Sequence, residues 1–372
     1  MGTASLERPD ILGADVPASQ TTGPATSRHA VTFSLPDEDR DFERVRLCQE
    51  VARPRVGPDF DRTAHGWALT WPRPPADRAE YQLEVTSRSG DTRVICDPTN
   101  PLRAPGPFGD KSVVEWPEYE PPAWSRDDRA DRGLIVESLI ECQTLRRPLR
   151  ALLWSSVGTD PSEPLPLLVA HDGPEYAQFS ELVGFLDHKS HNGELPPLRA
   201  ALIAPVERNH MYSASAQYAR ALAHDILPWL NSRAPTPSGR NMRVGMGASL
   251  GALAMLHVHR TYAASFGALY LQSGSFFRQR FDKQESGFVR FRRINRFVGT
   301  LLSATEWAHT IPITMTCGTA EENLANNQAV RDALTAQGYD VAFVANRDAH
   351  NWVAWRDTFD PHLVGLLAGM WA

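Results

Sequence analysis

The sequence predicts an α/β protein with a mostly parallel central sheet, preceded by a smaller β-rich domain. Two observations lead there. From Gly133 onward, short apolar runs of the kind that form buried strands alternate with longer stretches of helical periodicity. Before that point the chain offers only short extended runs separated by turn residues. Its 372 residues also exceed what one hydrophobic core ordinarily fills, so two domains are expected.

In chain order, residues 1–28 are rich in Ala, Thr, Ser, Pro and Gly without periodicity and read as a disordered leader. Residues 29–96 hold the strand-like runs Val31 to Leu35, Val45 to Cys48, Trp67 to Trp71, Tyr81 to Val85 and Val94 to Cys96, a spacing that suits a β-sandwich. Residues 97–132 are proline-rich. Proline fixes φ and lacks an N–H, so this stretch is expected to be an extended linker. Residues 133–372 carry the buried-strand candidates Leu165 to Ala170, Ala200 to Ala204, Met242 to Met246, Ala268 to Gln272, Ile313 to Cys317 and Val341 to Ala345. Helices are expected over Ser213 to Leu230, Leu250 to Tyr262, Asn323 to Gln337 and Pro361 to Trp371.

Composition narrows the function classes. A net charge of −6 argues against a dedicated nucleic-acid binder. No apolar run is long enough to span a bilayer, and the N-terminus lacks the charged-then-apolar order of a secretory signal, so a cytoplasmic protein is expected. Cys48, Cys96, Cys142 and Cys317 form no CxxC pair, which suggests reduced packing residues; neither a metal nor an organic cofactor is expected.

The sharpest signal is Gly247-Ala248-Ser249-Leu250-Gly251, a G-x-S-x-G nucleophile elbow between a strand candidate and a helix candidate. The setting is that of an α/β-hydrolase with Ser249 as nucleophile. A serine hydroxyl needs a base, and this fold places the acid after a late strand and the histidine near the end. His257 and His259 lie within a helix, His309 precedes a strand and His362 lies in the last helix. His350, between the last strand and the last helix, is the candidate. After the strand Ile313 to Cys317 come Glu321 and Glu322; Glu321 is the preferred acid and Glu322 the alternative. Leu250 supplies one oxyanion N–H at the start of its helix. The loop His171-Asp172-Gly173-Pro174-Glu175 should supply the other. Pro174 has no N–H, which leaves Gly173, the candidate, Glu175 or another group.

Together, His171-Asp172-Gly173, GASLG, Gln272-Ser273-Gly274-Ser275-Phe276, Gly318 to Asn323, His350-Asn351-Trp352 and Trp355-Arg356-Asp357 resemble the enterochelin esterase family. The wider group includes carbohydrate esterases and mycolyltransferases. The resemblance covers nearly the whole chain after the leader, including a joint at Asp97 to Pro101 and Ser112 to Trp124 with an immunoglobulin-like N-terminal domain. It implies Ser249, Glu321 and His350 as a triad, a small-molecule ester as substrate, and within that class an iron-siderophore lactone. It also implies a substrate-contacting arginine at Arg208, and Trp352 is a further candidate contact. Between Phe276 and Phe297, Arg278 and six other basic residues interleave with phenylalanines; Phe288, Phe291, Ile294, Phe297 and Leu301 fit one helical face. The segment reads as an amphipathic helix or as a cap presenting Arg278 to substrate.

The same residues would serve an acyltransferase, and a peptidase lacks any mark of an amine-leaving pocket. A ligand-binding module with an inactive triad is the rival from another class.

Overall fold

The computed structural model describes residues 23–51, 56–126 and 132–371. The leader expected over residues 1–28 lies outside the described residues up to residue 22, as do residues 127–131 of the expected linker; the end of that leader is ordered instead, with Ala25 and Thr26 paired opposite Thr32 and Val31.

The N-terminal domain contains β1 (Ala25–Thr26), β2 (Ala30–Pro36), β3 (Phe42–Gln49), β4 (Val56–Asp59), β5 (Asp61–Arg62), β6 (Gly66–Pro72), β7 (Arg78–Ser87), β8 (Thr92–Ile95), β9 (Arg103–Ala104) and β10 (Lys111–Glu115). They pair antiparallel into two sheets, ordered β1-β2-β6-β5 and β4-β3-β7-β10-β9, with β8 also on β7. The period-2 pattern sets which faces meet. Val31, Phe33 and Leu35 from one sheet pack against Val45, Leu47, Tyr81, Leu83 and Val85 from the other.

Here the structure corrects the linker expected over residues 97–132. Within it, β10 pairs with β7 from Ser112 opposite Tyr81 to Glu115 opposite Arg78, and β9 pairs with β10. The prolines do exclude regular pairing, but only where they stand. Pro107 and Pro117 bracket a proline-free run long enough for one strand.

The second domain is built on β11 (Leu134–Ile140), β12 (Leu149–Ser155), β13 (Leu167–His171), β14 (Arg199–Ile203), β15 (Arg243–Ala248), β16 (Ala268–Gln272), β17 (Ile313–Gly318) and β18 (Val341–Asn346), in the order β11-β12-β14-β13-β15-β16-β17-β18. β13 to β18 run parallel, while β11 and β12 are antiparallel additions at one edge. Each residue of β13, β14 and β16 is buried, the pattern of strands covered on both faces. One face is covered by α1 (Gly173–Phe179), α2 (Leu182–His191), α9 (Trp352–Arg356) and α10 (Val364–Trp371). The other is covered by α4 (Ala216–Ala221), α5 (Leu227–Arg233), α6 (Leu250–Thr261), α7 (Phe291–Ser303) and α8 (Leu324–Ala336), with the short α3 (Arg208–Met211) preceding α4. A wider helical turn over Leu222–Ile226 joins α4 to α5, so the single helix expected there is a continuous but irregular one.

The basic segment after β16 is not a free cap. Ile294, Val298 and Leu301 of α7 are buried in the core, and Phe291 is buried as well. Arg290 Nη2 lies 2.8 Å from His210 Nδ1, and Arg293 donates to the His210 carbonyl, tying α7 to the end of α3.

Candidate active site

Ser249 stands between the end of β15 and the start of α6 with φ 55° and ψ −121°, a conformation that L-residues rarely adopt. Gly247 makes it possible: a Cβ there would stand 2.6 Å from the Gly251 carbonyl carbon of the helix's first turn. The turn lifts the Ser249 hydroxyl out of the sheet's carboxyl edge, where it lies 3.0 Å from Ser275 Oγ.

Glu321 follows β17 and His350 follows β18, so the parallel sheet delivers all three side chains to one edge. His350 Nδ1–H donates to Glu321 Oε2 at 2.8 Å. That bond fixes the tautomer and leaves Nε2 as a base. The glutamate is itself held: its other oxygen accepts from Gly318 N at 2.8 Å and from Ser273 Oγ at 2.5 Å, and Trp355 Nε1 donates to Ser273 Oγ at 3.0 Å. Its side chain is 1% exposed. Glu322, the alternative acid, is exposed and does not make this bond.

Leu250 and Gly173 are the first residues of α6 and α1, so each N–H lies at a helix start that has no intrahelical acceptor. Gly173 has no room for a side chain, because a Cβ would meet the Leu202 backbone at 2.2 Å. Pro174 sits in the first turn of α1, where a missing N–H costs nothing. The neighbouring His171 is fully buried. Its Nδ1–H donates to the Gly251 carbonyl (3.0 Å), and Nε2 accepts from Tyr218 OH (2.8 Å), which ties the β13 loop to the elbow helix.

A cavity of about 390 Å3 opens over Ser249 and His350. Trp352 and Trp355 form one wall and the N-terminal domain forms the other, through Glu50, Glu80, Lys111 and residues 104–109. Arg208 lines this cavity while gripping Asp172 bidentately, both contacts at 2.8 Å. Lys111 is paired with Glu50 at 3.0 Å and with Glu80 at 3.5 Å. A smaller cavity of about 170 Å3 reaches Ser249 and His350 beside Ser275, Glu321 and Glu322.

The structure does not bring Arg278 to either cavity among the described residues. Its Nε donates to Asn326 Oδ1 at 2.8 Å and its guanidinium lies over Phe281. Asp282 fixes both the Arg278 backbone N–H and the Asn326 amide, which gives the arginine a nearer partner than the cavity. Sequence reasoning gave no role to Ser275, nor to the Ser273–Trp355 support of Glu321, although both serines and Trp355 lie in motifs that carry the resemblance. The cavity's N-terminal wall had no sequence signal. No three His, Cys, Asp or Glu side chains among the described residues are grouped to hold a metal ion. None of the described helices is long and apolar enough to cross a membrane.

A family model described as "Putative esterase" matches residues 154–366. The chain belongs to this esterase family. It is similar to the iron(III) enterobactin esterases of Escherichia coli K12, at 27% identity over 221 residues, and of Dickeya dadantii, at 26% over 234. These alignments cover 58% and 59% of this chain and 54% and 52% of the relatives, so the chain spans about half the length of the curated relatives it matches. Its fold recurs among solved structures. The enterobactin esterase of Shigella flexneri, crystallised in the presence of enterobactin, has a TM-score of 0.73 at 22% identity, covering 94% of this chain and 96% of that one. The ferric enterobactin esterase of Salmonella typhimurium has 0.75 at 20%, covering 95% and 97%. Both support an antiparallel two-sheet domain followed by an α/β-hydrolase domain.

Proposed function

We propose that this esterase is a serine carboxylester hydrolase using Ser249, Glu321 and His350, and that its substrates are small siderophore-like esters with aromatic groups. The observation that carries the mechanism is the 2.8 Å bond from His350 Nδ1 to Glu321, in a cavity shared with a serine on a strained elbow.

In the first half-reaction His350 Nε2 takes the Ser249 proton as Oγ adds to the ester carbonyl. The Leu250 N–H, with Gly173 as second donor, stabilises the oxyanion. The tetrahedral species expels the alcohol, which receives the proton from His350, and leaves an acyl-serine. Water, deprotonated by His350, then releases the acid and restores Ser249.

The substrate class rests on the relatives' names and on Trp352, Trp355 and Phe108 around the cavity. It is tested by assaying purified protein on ferric enterobactin, its linear trimer, ethyl benzoate and ethyl acetate. Turnover of the catecholate esters at least tenfold above ethyl acetate is expected. Turnover of ethyl acetate alone would overturn the substrate class and leave the mechanism standing.

A further inference from the structure

We propose that Arg78, on β7 of the N-terminal domain, is a positioning residue for the His350 loop, so that the N-terminal domain is a working part of the hydrolytic site. The inference rests on His350 acting as base. Arg78 is 3% exposed and donates through Nη1 to Glu80 Oε1 (3.0 Å) and to Asn351 Oδ1 (3.3 Å).

Asn351 directly follows His350 and has three duties. Its Oδ1 caps α9 by accepting from Ala354 N (2.8 Å), its Nδ2 donates to Asp348 Oδ1 (3.0 Å), and its backbone N–H bonds the Ala349 carbonyl (3.1 Å). Asp348 Oδ1 also accepts from Ala349 N (2.7 Å). Residues on both sides of the histidine are therefore held by a network in which Arg78 supplies the cation.

The grip extends to the acid loop. Thr319 Oγ1 donates to the Pro75 carbonyl, Asp77 N donates to the Arg347 carbonyl, and Arg347 Nε returns to Asp77 at 2.9 Å. Ala320 N bonds the Asp348 carbonyl, and both Ala320 and Ala349 pack into the N-terminal core. One short segment, Pro75 to Arg78, thus holds the loops of Glu321 and His350 in register.

Asp348 supplies a distinctive readout. Burial pushes its carboxyl up to about 7, and the charge of Arg78 and the Ala349 and Asn351 hydrogen bonds oppose that rise, while Glu80 adds to it. Those are its charged neighbours on β7; Glu321 and His350 lie on its own domain's side, and Arg347 is turned to Asp77. Above neutrality wild type ionises Asp348 against Arg78. Without Arg78 the carboxyl is pushed higher still, so the variant departs from the wild-type charge state more as pH rises, holding either a protonated acid or an unpaired anion beside the histidine. The damage should therefore grow with pH.

The test compares kcat and KM of wild type, Arg78→Met and Arg78→Met/Asp348→Asn at pH 6 and pH 8.5, with circular dichroism confirming the fold. Arg78→Met is expected to hold kcat within about threefold of wild type at pH 6 and to lose tenfold or more at pH 8.5. KM should change less than threefold. Adding Asp348→Asn, which removes the anion, should return kcat at pH 8.5 to within about threefold. A kcat ratio equal at both pH values, or unchanged throughout, overturns the proposal. If Arg78→Met does not accumulate folded, Arg78→Gln, which can still donate to Asn351 without charge, is measured by the same criteria. His350→Ala, run alongside, isolates the underlying reading: full activity there would overturn the base assignment rather than the role of Arg78.

Discussion

Ser249 holds a backbone conformation that costs an L-residue on the order of 1–3 kcal/mol, and the fold sustains it because strand, helix and the Gln272 carbonyl over-determine the turn. The strain belongs to the backbone, so Ser249→Ala should leave the melting temperature within a few degrees while kcat drops about 10³-fold or more. Retention of a tenth of wild-type activity would remove Ser249 as nucleophile. The two glutamates separate on the same logic. Glu321 is buried with both oxygens committed, one of them to His350, whereas Glu322 is exposed. Glu321→Gln keeps the shape but loses the anion that stabilises an imidazolium, and about 10³-fold in kcat is expected. Glu322→Gln should change kcat by less than about threefold. A larger loss from Glu322→Gln in steady-state assays would reverse the assignment.

At the scale of elements, legibility followed burial and periodicity. Five of the six parallel strands, β13 to β17, were readable because they are buried on both faces, and β18, a half-buried strand at the sheet edge, was readable from the apolar run Val341 to Ala345. β11 and β12 were not: Leu134–Ile140 is an edge strand with Leu134, Ile135, Val136 and Leu139 exposed, and Glu137 and Ser138 interrupt it. α1 was hidden by Pro174, which reads as a breaker but sits at a helix start. The elbow, the acid and the histidine were legible because strand ends place them. Arg278 misled, since a basic residue near a site says nothing of a closer partner such as Asn326. The turn between β9 and β10 carried no signal, and it brings Phe108 to the cavity rim with 98% of its surface exposed. An aromatic side chain left in water at the rim of the cavity that Trp352 also lines is placed to close on a substrate ring, a contact worth about 1–1.5 kcal/mol. Phe108→Ala should lower kcat/KM about tenfold on ethyl benzoate, change it less than twofold on ethyl acetate, and leave the melting temperature unaltered. Equal losses on the two esters would assign Phe108 to the scaffold.

At the scale of the whole molecule, pH acts through buried groups whose signs oppose one another. Burial lowers His171 to about 3 and His257 and His259 to about 4, each from 6.5. A base whose folded pKa lies below its unfolded value contributes stability in full above about 6.5 and loses it as pH falls toward the folded pKa. Asp348, raised to about 7, works the other way: folding favours its protonated form, so stability declines as pH rises from about 4 to 7. Burial also lowers His362 and raises Glu175 and Asp187, so four histidines stand against three carboxyls, and the large shifts of His171, His257 and His259 give a net fall in stability on acidification from pH 7.5 to 5. His171 is the cleanest contributor, because it is fully buried, its Nδ1–H is committed to the Gly251 carbonyl, and a second ring proton would break the bond that its Nε2 lone pair accepts from Tyr218 OH. Between its unfolded pKa and pH 5 it accounts for about 2 kcal/mol. His171→Asn retains a donor near the Gly251 carbonyl and cannot take up that proton. Urea unfolding should therefore show a smaller difference between pH 7.5 and pH 5 in His171→Asn than in wild type, by about 2 kcal/mol, even though the variant is less stable than wild type at pH 7.5. The same pH dependence in both proteins would mean that His171 is not held neutral, and the link between the β13 loop and the elbow helix would have to be rebuilt around a charged ring.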